Sequence, residues 1–417
     1  MRLEGSCGVM AEPIRVTGYR EAFSTLSNRD LVQAMYGECD VLMARVLLTL
    51  HGEAHARRRA TELQLFRRNF TRYYAEDIYP AVLAATLAQY DGAPGMDLVE
   101  FGYRVNMNLS ADFAGIDRPL NTAAETDDLL RVVRKFSEGA TLFHSTRDKD
   151  EVRREVAETL DFFAERFFKP SRDRRQVLVR AFEAGDLSED ELPRDVLTVL
   201  LQHRSDPDLD AQMILREAAF FLQAAAHSTG NAMVHAFHET MAWCTAHPGD
   251  RARIQDDPNF LQRCVHESMR LHPASPAAWR TAGTDTMLPG GRKLAEGDAV
   301  LIDIEAANRD VTLFGAAVEA FNPHRQVADK VPPFGLTFGV GIHTCVGREL
   351  AAGVLPKEGE DSQAPRFPGI VTLLVQGLLD KGVVPDPAQQ PEADSGTARQ
   401  HWATYPVIFD ENNKERI

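Results

Sequence analysis

The sequence predicts a mainly α protein with small β-sheets, and three observations carry that expectation. Helical texture runs from about Tyr19 to Met269. Between Asp210 and His247 there is no proline, and Gly230 is the only glycine. After Pro273 the pattern changes to short strand-like pieces broken by turn residues. The 417 residues are enough for a large core, and the hydrophobic and charged fractions, 44% and 26%, are those of an ordinary globular chain.

In chain order, "IRVTGYREAFSTL" predicts a first helix. "SEDELPRDVLTVLLQHRSDPDLD" predicts a short helix with polar ends. The proline-free stretch from Asp210 to His247 predicts one helix of roughly 50 Å, at about 1.5 Å per residue. Its middle, "EAAFFLQAAAHSTGNAMVHAF", is apolar on nearly every face, so it is buried all round or lines a cavity. "DPNFLQRCVHESMRLHP" predicts a helix that starts after Pro258 and stops at Pro273. Strands follow in "AAWRTA", in "DTMLPGGRKL" with a hairpin turn at "PGG", and in "DAVLIDI". The loop "FGVGIHTCVG" leads into a short helix from Gly347 to Leu355. "PKEGEDSQAPRFP", residues 356–368, interrupts that helix with prolines and acids and predicts an exposed loop insertion. "GIVTLLVQGLLDKG" resumes helix, and "YPVIF" predicts a last strand.

Composition excludes several functions. A formal net charge of −15 argues against non-specific nucleic-acid binding and against adhesion to anionic lipid. Five scattered cysteines, odd in number and without CxxC spacing, argue against a disulfide framework and a zinc ribbon. The N-terminus lacks an apolar signal core, and no uncharged apolar run approaches a membrane span. A soluble, cytoplasmic protein is expected.

Cys345 sits among Gly339, Gly341 and Gly347, with His343 two residues before it. A metal thiolate is helped by backbone N–H groups aimed at sulfur, a helix N-terminus and exclusion of water. Gly341 and Gly347 permit unusual backbone conformations, and the helix opening at Gly347 would bring its positive end near the sulfur. A structural cysteine in a glycine-rich turn is the plainer alternative. His343 and Cys345 as a zinc pair lack a second pair at sensible spacing, whereas a lone cysteinate suits heme iron, whose porphyrin supplies four nitrogens. Glu267 and Arg270, at i and i+3, share a helix face; as an isolated pair they would be a surface ion pair of little worth. "ANRD" and "FNPHR" lie between that helix and the cysteine loop, and Arg325 could complete a Glu–Arg–Arg cluster.

At these residues the chain resembles the cytochromes P-450. The family's Phe-x-x-Gly-x-His/Arg-x-Cys-x-Gly is met by Phe338, Gly341, His343, Cys345 and Gly347, with Gly339 inside it. Its Glu-x-x-Arg is met by Glu267 and Arg270, and its Phe-x-Pro-x-Arg by Phe321, Pro323 and Arg325. The resemblance implies one cytochrome P-450 domain over 1–417 with a long central helix over a buried heme, and a short N-terminal lobe. It implies heme b (iron protoporphyrin IX) with the Cys345 thiolate as axial ligand, and His55, Arg59, Arg280 and His343 about the propionates. In "HGEAHARRR" only one helix face can look at the heme, which favours Arg59 over Arg58.

The family's oxygen-activating pattern, Ala/Gly-Gly-x-Asp/Glu-Thr, reads here Ala225-Ala226-His227-Ser228-Thr229. The threonine is present and the acid is replaced by Ser228. Thr229 is expected to bond back to the carbonyl four residues earlier, and Gly230 to ease a local kink. Thr229 would donate to the distal oxygen, with protons arriving through Ser228, His227 or water; a packed histidine is the alternative for His227.

The implied activity is a heme-thiolate monooxygenase acting on a small or medium organic substrate, in secondary or degradative metabolism. Electrons would come from a separate ferredoxin and an NAD(P)H-dependent ferredoxin reductase. Arg57, Arg58, Arg67 and Arg68 offer a basic docking patch for the ferredoxin. Two other functions remain open at this point: a peroxide-driven heme enzyme, and a non-catalytic heme protein that binds a partner or carrier.

Overall fold

The computed structural model describes residues 12–66, 73–354 and 367–410. The main helices are α1 (Tyr19–Ser27), α2 (Gly52–Glu62), α3 (Tyr79–Leu87), α4 (Leu98–Ala114), α5 (Ala123–Ala140), α6 (Lys149–Phe163), α7 (Lys169–Ala184) and α8 (Val196–Gln202). They continue with α9 (Ala211–Ala246), α10 (Pro248–Asp256), α11 (Pro258–Leu271), α12 (Arg348–Ala352) and α13 (Ile370–Asp380); shorter turns are left unnumbered. The strands are β1 (Ile14–Val16), β2 (Leu31–Gln33), β3 (Gly95–Asp97), β4 (Ala277–Ala282), β5 (Thr286–Met287), β6 (Lys293–Leu294), β7 (Ala299–Asp303), β8 (Val383–Pro385), β9 (Glu392–Ala393), β10 (Trp402–Thr404) and β11 (Pro406–Phe409). The fold is mainly α with small sheets, as the sequence predicts.

The long helix α9 is set by its start and its composition. The Asp210 carboxylate accepts the Met213 N–H and caps it, and Pro248 follows its end. Its apolar residues pack against α4, α5, α11 and α13, so it runs through the interior. α4 crosses it at a pair of glycines. A Cβ on Gly230 would stand 3.3 Å from the Gly102 carbonyl carbon, and one on Gly102 would stand 3.0 Å from Met233 Cε. Gly230 therefore serves a close helix crossing. α9 runs through it unbroken from 211 to 246.

Two further expectations change. The first predicted helix begins five residues later. Ile14, Arg15 and Val16 instead form β1, parallel to Val300–Ile302 of β7, where β-branched side chains fit a pleated surface. The helix after the cysteine is shorter than predicted, stopping at Ala352 because Gly353 takes φ +80°.

The four-stranded sheet has the order β1-β7-β4-β2, with β4 antiparallel to both neighbours. It lies with α1 over a separate apolar cluster that includes Val16, Leu31, Val300 and Ile302. A second sheet has the order β3-β11-β8, and the predicted final strand is its centre. Most of the 356–368 insertion lies outside the described residues. Its ends meet: the Val354 N–H donates to the Phe367 carbonyl at 3.2 Å. Gly353 and Gly369 both have positive φ, and a Cβ on Gly369 would fall 2.4 Å from the Ala352 carbonyl carbon. The chain thus leaves α12 and returns to α13 through one narrow gap that only glycines fit.

Candidate active site

The loop from Phe338 to Gly347 is folded by backbone bonds and glycines. The Cys345 N–H donates to the Phe338 carbonyl at 2.9 Å, while Phe338 packs edge-on against Phe334. Gly339 and Gly341 take φ +63° and +76°. A Cβ on Gly341 would also lie 2.8 Å from the Leu26 carbonyl oxygen at the end of α1. Gly347, in contrast, has an ordinary φ of −88°. It matters because its N–H points at the sulfur, and a Cβ there would stand 3.9 Å from Cys345 Sγ. The expected conformational freedom belongs to Gly339 and Gly341.

Cys345 is a free thiol reachable by a water-sized sphere, yet protein atoms surround it, so it borders an interior space. Burial pushes its pKa up, opposed by the Gly347 N–H and by Arg59 and Arg348. α12 is only five residues long, so the local donor is that one N–H and not a long helix dipole.

One side of this space is lined by bases. The His55 and His343 rings meet edge-on at 4.8 Å, with His51 6.4 Å from His343. Burial pushes His55 down to about 4 and His343 to about 3, with neighbouring cations adding to both shifts. His343 Nε2 is buried and has no hydrogen-bond partner. Arg59 Nη2 donates to the Thr344 carbonyl at 2.8 Å. Arg280 is buried; its Nη1 donates to the Trp279 carbonyl and to Gln33, and burial pushes its pKa down to about 10. Among the described residues no carboxylate lies within ion-pair distance of Arg59 or Arg280. Two guanidiniums without a counter-ion and an unbonded imidazole nitrogen, beside an inward thiol, fit a group that carries carboxylates and a metal. Heme with its propionates is such a group. No three His, Cys, Asp or Glu side chains among the described residues are arranged to hold a metal without it.

Arg58 turns away from this space. It donates to Glu217 Oε1 on α9 at 2.5 Å and to the Asp208 carbonyl at 2.9 Å. Glu62 lies on the same buried side of α2 as His55, beside Glu217, and neither of its oxygens accepts a bond. Burial and the facing Glu217 carboxylate push the Glu62 pKa well up, and burial pushes Glu217 up to about 7. Sequence reading missed this acid pair, although Glu62 stands seven residues after His55 and so shares its helix face. Of the proposed docking arginines, Arg58 is buried on Glu217, Arg57 is paired with Asp208 and Glu53, and Arg67 and Arg68 lie outside the described residues.

Glu267, Arg270 and Arg325 come together in the interior. Arg270 Nε and Nη2 each donate to one Glu267 oxygen at 2.8 Å, and Arg325 Nε donates to Oε1 at 2.8 Å. The remaining guanidinium N–H groups reach the carbonyls of Asn308, Val318, Phe314, Ala317 and Ala320. The pair is therefore no surface ion pair. It pins the 314–320 segment, which leads to the cysteine loop.

On α9, Ala225 is exposed to interior space although it lies mid-helix. Ser228 Oγ donates to the Ala224 carbonyl at 2.8 Å, so the back-bond expected of Thr229 is made by Ser228. Thr229 is buried next to it. His227 lies two residues, about 200°, round the helix from Ala225. Its Nδ1 meets Tyr103 Oη at 2.6 Å, and its Nε2 accepts from Arg399 at 2.7 Å. Nδ1 is thus engaged by α4 and Nε2 by the turn before β10, which is the packed-histidine arrangement.

A family model described as Cytochrome P450 matches residues 249–353, the stretch that carries Glu267, Arg270, Arg325 and Cys345. The C-19 steroid 1alpha-hydroxylase of Sorangium cellulosum is 25% identical over 326 residues, covering 78% of this chain and 74% of that protein. The chain belongs to the cytochrome P450 family. This P450 is also similar to the cytochrome P-450 monooxygenase DoxA of Streptomyces peucetius subsp. caesius, 40% identical over 102 residues, 24% of this chain and 23% of DoxA. In fold it is similar to P450BioI, solved with an acyl carrier protein bearing hexadec-9Z-enoic acid. The TM-score there is 0.70 at 17% identity, over 95% of this chain and 92% of that one. The chain is accordingly a P450 monooxygenase, a heme enzyme with cysteine thiolate ligation. No helix among its described residues is long and apolar enough to cross a membrane.

Proposed function

We propose that the protein is a cytoplasmic heme b monooxygenase that hydroxylates a small or medium organic molecule, drawing electrons from a ferredoxin and its NAD(P)H-dependent reductase. The observation that carries this is the inward Cys345 thiol facing the uncompensated cations Arg59 and Arg280. When bound, the heme supplies activation of O₂ and delivery of one oxygen atom to substrate. The chain's residues do the rest. Cys345 is the axial thiolate, held by the bond from its own N–H to Phe338 and approached by the Gly347 N–H. Arg59, Arg280, His55 and His343 take the propionates, and the His343 Nε2 left without a partner is a ready donor to one of them. Thr229 offers its hydroxyl on the α9 side, while Ser228 is held on the Ala224 carbonyl and His227 on Tyr103 and Arg399.

A hydroxylation is supported by the names of the relatives, among them the steroid hydroxylase and a mycinamicin methyl hydroxylase of Micromonospora griseorubida. The test is the carbon monoxide difference spectrum of the reduced protein. The wild type is expected to show the red-shifted band of a thiolate-ligated heme, and Cys345→Ser is expected to lose it. A band that survives Cys345→Ser overturns the ligand assignment.

A further inference from the structure

Five arginines are buried among the described residues: Arg58, Arg175, Arg270, Arg280 and Arg399. Three are ion-paired with carboxylates, on Glu217, Asp195 and Glu267. Arg280 faces the propionate cradle. Arg399 is left without a counter-ion, and buried charges ordinarily have one.

The surroundings of Arg399 are shaped for a small anion. It lies in the turn before β10, where that turn meets the α5–α6 connection and α9. Its Nη1 donates to the Ala274 carbonyl at 3.2 Å and its Nη2 to His227 Nε2 at 2.7 Å. Each terminal nitrogen therefore keeps one N–H free, a two-pronged fork of the kind that takes a carboxylate. His144 stands beside it with a buried Nε2 that has no partner. His401 and Tyr103 complete the polar neighbours; Asp394 acts on Arg399 from beyond ion-pair distance, with its Oδ1 accepting the Gly396 N–H. Ala274, which accepts from Arg399, is followed by Ser275, whose Oγ lies 3.4 Å from the Tyr36 phenol, and the chain runs on into β4, which carries Arg280; Arg399 thus stands at the start of the strand that leads to the heme cradle. Burial pushes Arg399 down to about 10, opposed by Tyr36, Tyr103 and Asp394.

We propose that Arg399, with His144 Nε2 as second donor, binds a carboxylate group of the substrate, so that the enzyme selects anionic organic molecules and holds them by that end. This rests on the monooxygenase assignment above. His227 becomes a positioning residue: by accepting from Arg399 and meeting Tyr103 it fixes the guanidinium plane.

The test is calorimetric titration of the heme-loaded enzyme with straight-chain and aryl carboxylic acids, each set against its methyl ester. In the wild type at least one acid is expected to bind about tenfold to a hundredfold tighter than its ester, the range of a charge-assisted pair. Arg399→Gln keeps donors for Ala274 and His227 but removes the charge, and is expected to abolish that preference. His144→Phe, which leaves Arg399 in place, serves if the first variant does not fold, and is expected to reduce the preference severalfold. Acids that bind no tighter than their esters, or a preference that survives both substitutions, overturn the proposal. So does an Arg399→Gln protein that instead loses heme, since Arg399 would then be a propionate partner. The carbon monoxide band, measured on the same samples, separates failure of this proposal from failure of the heme assignment.

Discussion

Replacing Glu62 by glutamine should stabilise the protein, and only at neutral and higher pH. Glu62 and Glu217 face each other in the interior, and the one ion pair made by the two carboxyl groups is that of Glu217 with Arg58. Burial raises both pKa values above the ordinary carboxylate range, and the Glu217 carboxylate raises that of Glu62 further. A carboxyl whose folded pKa is raised holds its proton in the folded chain while the unfolded chain releases it. Below the unfolded value, about 4.5, both states are protonated and the pair costs nothing. Stability then falls as pH rises towards the folded value of about 7 for Glu217. A shift of that size corresponds to a cost on the order of 3 kcal/mol by linkage; Glu62, pushed well up by burial and by Glu217, carries a cost of the same kind, and that is the cost glutamine removes. For 417 residues at about 2.1 cal/mol/K each, the unfolding entropy is about 0.9 kcal/mol/K, so the cost amounts to about 3 °C in Tm. In Glu62→Gln, Glu217 keeps Arg58 and the Leu47 N–H as donors and faces an amide that can also donate. Differential scanning calorimetry of the heme-loaded variant and wild type should give nearly equal Tm values near pH 4.5, with the variant rising to about 3 °C above wild type at pH 8. An equal difference at both pH values, or a variant less stable than wild type at pH 8, would refute the raised Glu62 carboxyl.

Arg280→Leu removes a buried cation that no carboxylate of the chain offsets. Its heme-free form should melt no lower than wild type, while heme content per protein, read from the pyridine hemochromogen spectrum, should drop, with affinity down by about tenfold to a hundredfold. Glu267→Ala strands Arg270 and Arg325 in the interior, and the cost of breaking a buried ion pair, about 3–5 kcal/mol, should show as lost soluble yield and a lower urea midpoint. Thr229→Ala should lower the product formed per NADPH consumed severalfold, whereas Ser228→Ala, whose hydroxyl is already spent on Ala224, should leave that ratio near wild type.

What could be read from the sequence was what lies close along the chain or is fixed by glycine. The Phe338–Gly347 loop, the helix face shared by Glu267 and Arg270, and the unbroken length of α9 all follow from local spacing. Arg325 was reached by the Phe-x-Pro-x-Arg pattern, because its partner sits 58 residues away. Residues whose meaning depends on distant neighbours stayed hidden. Arg58 and Arg59 are adjacent in a basic run, and nothing local says that one pairs with Glu217 and the other reaches Thr344. The close crossing at Gly230 could not be read locally because the glycine it meets, Gly102, belongs to another helix. Arg399 lies in a tail with no helical or strand periodicity, 172 residues from the histidine it bonds.

The charge balance of the chain gives the two buried arginines without an ion pair, Arg280 and Arg399, a common explanation. With 61 acidic against 46 basic residues, carboxylates are in surplus. Exposed arginines such as Arg147 and Arg204 hold two or more carboxylate contacts each or a fork on one acid. A surplus of that kind makes a buried guanidinium without an acid costly to keep by accident, since one nearby substitution would supply a partner. Arg280 and Arg399 are left without an ion pair in the interior, and half-buried Arg59, which feels Glu62 but forms no ion pair with it, stands with Arg280 by the cysteine loop. An arginine kept free of the chain's own acids is kept for an acid the chain does not carry. For Arg59 and Arg280 the cofactor brings two carboxylates. For Arg399 the remaining carboxylate must arrive with the molecule to be oxidised.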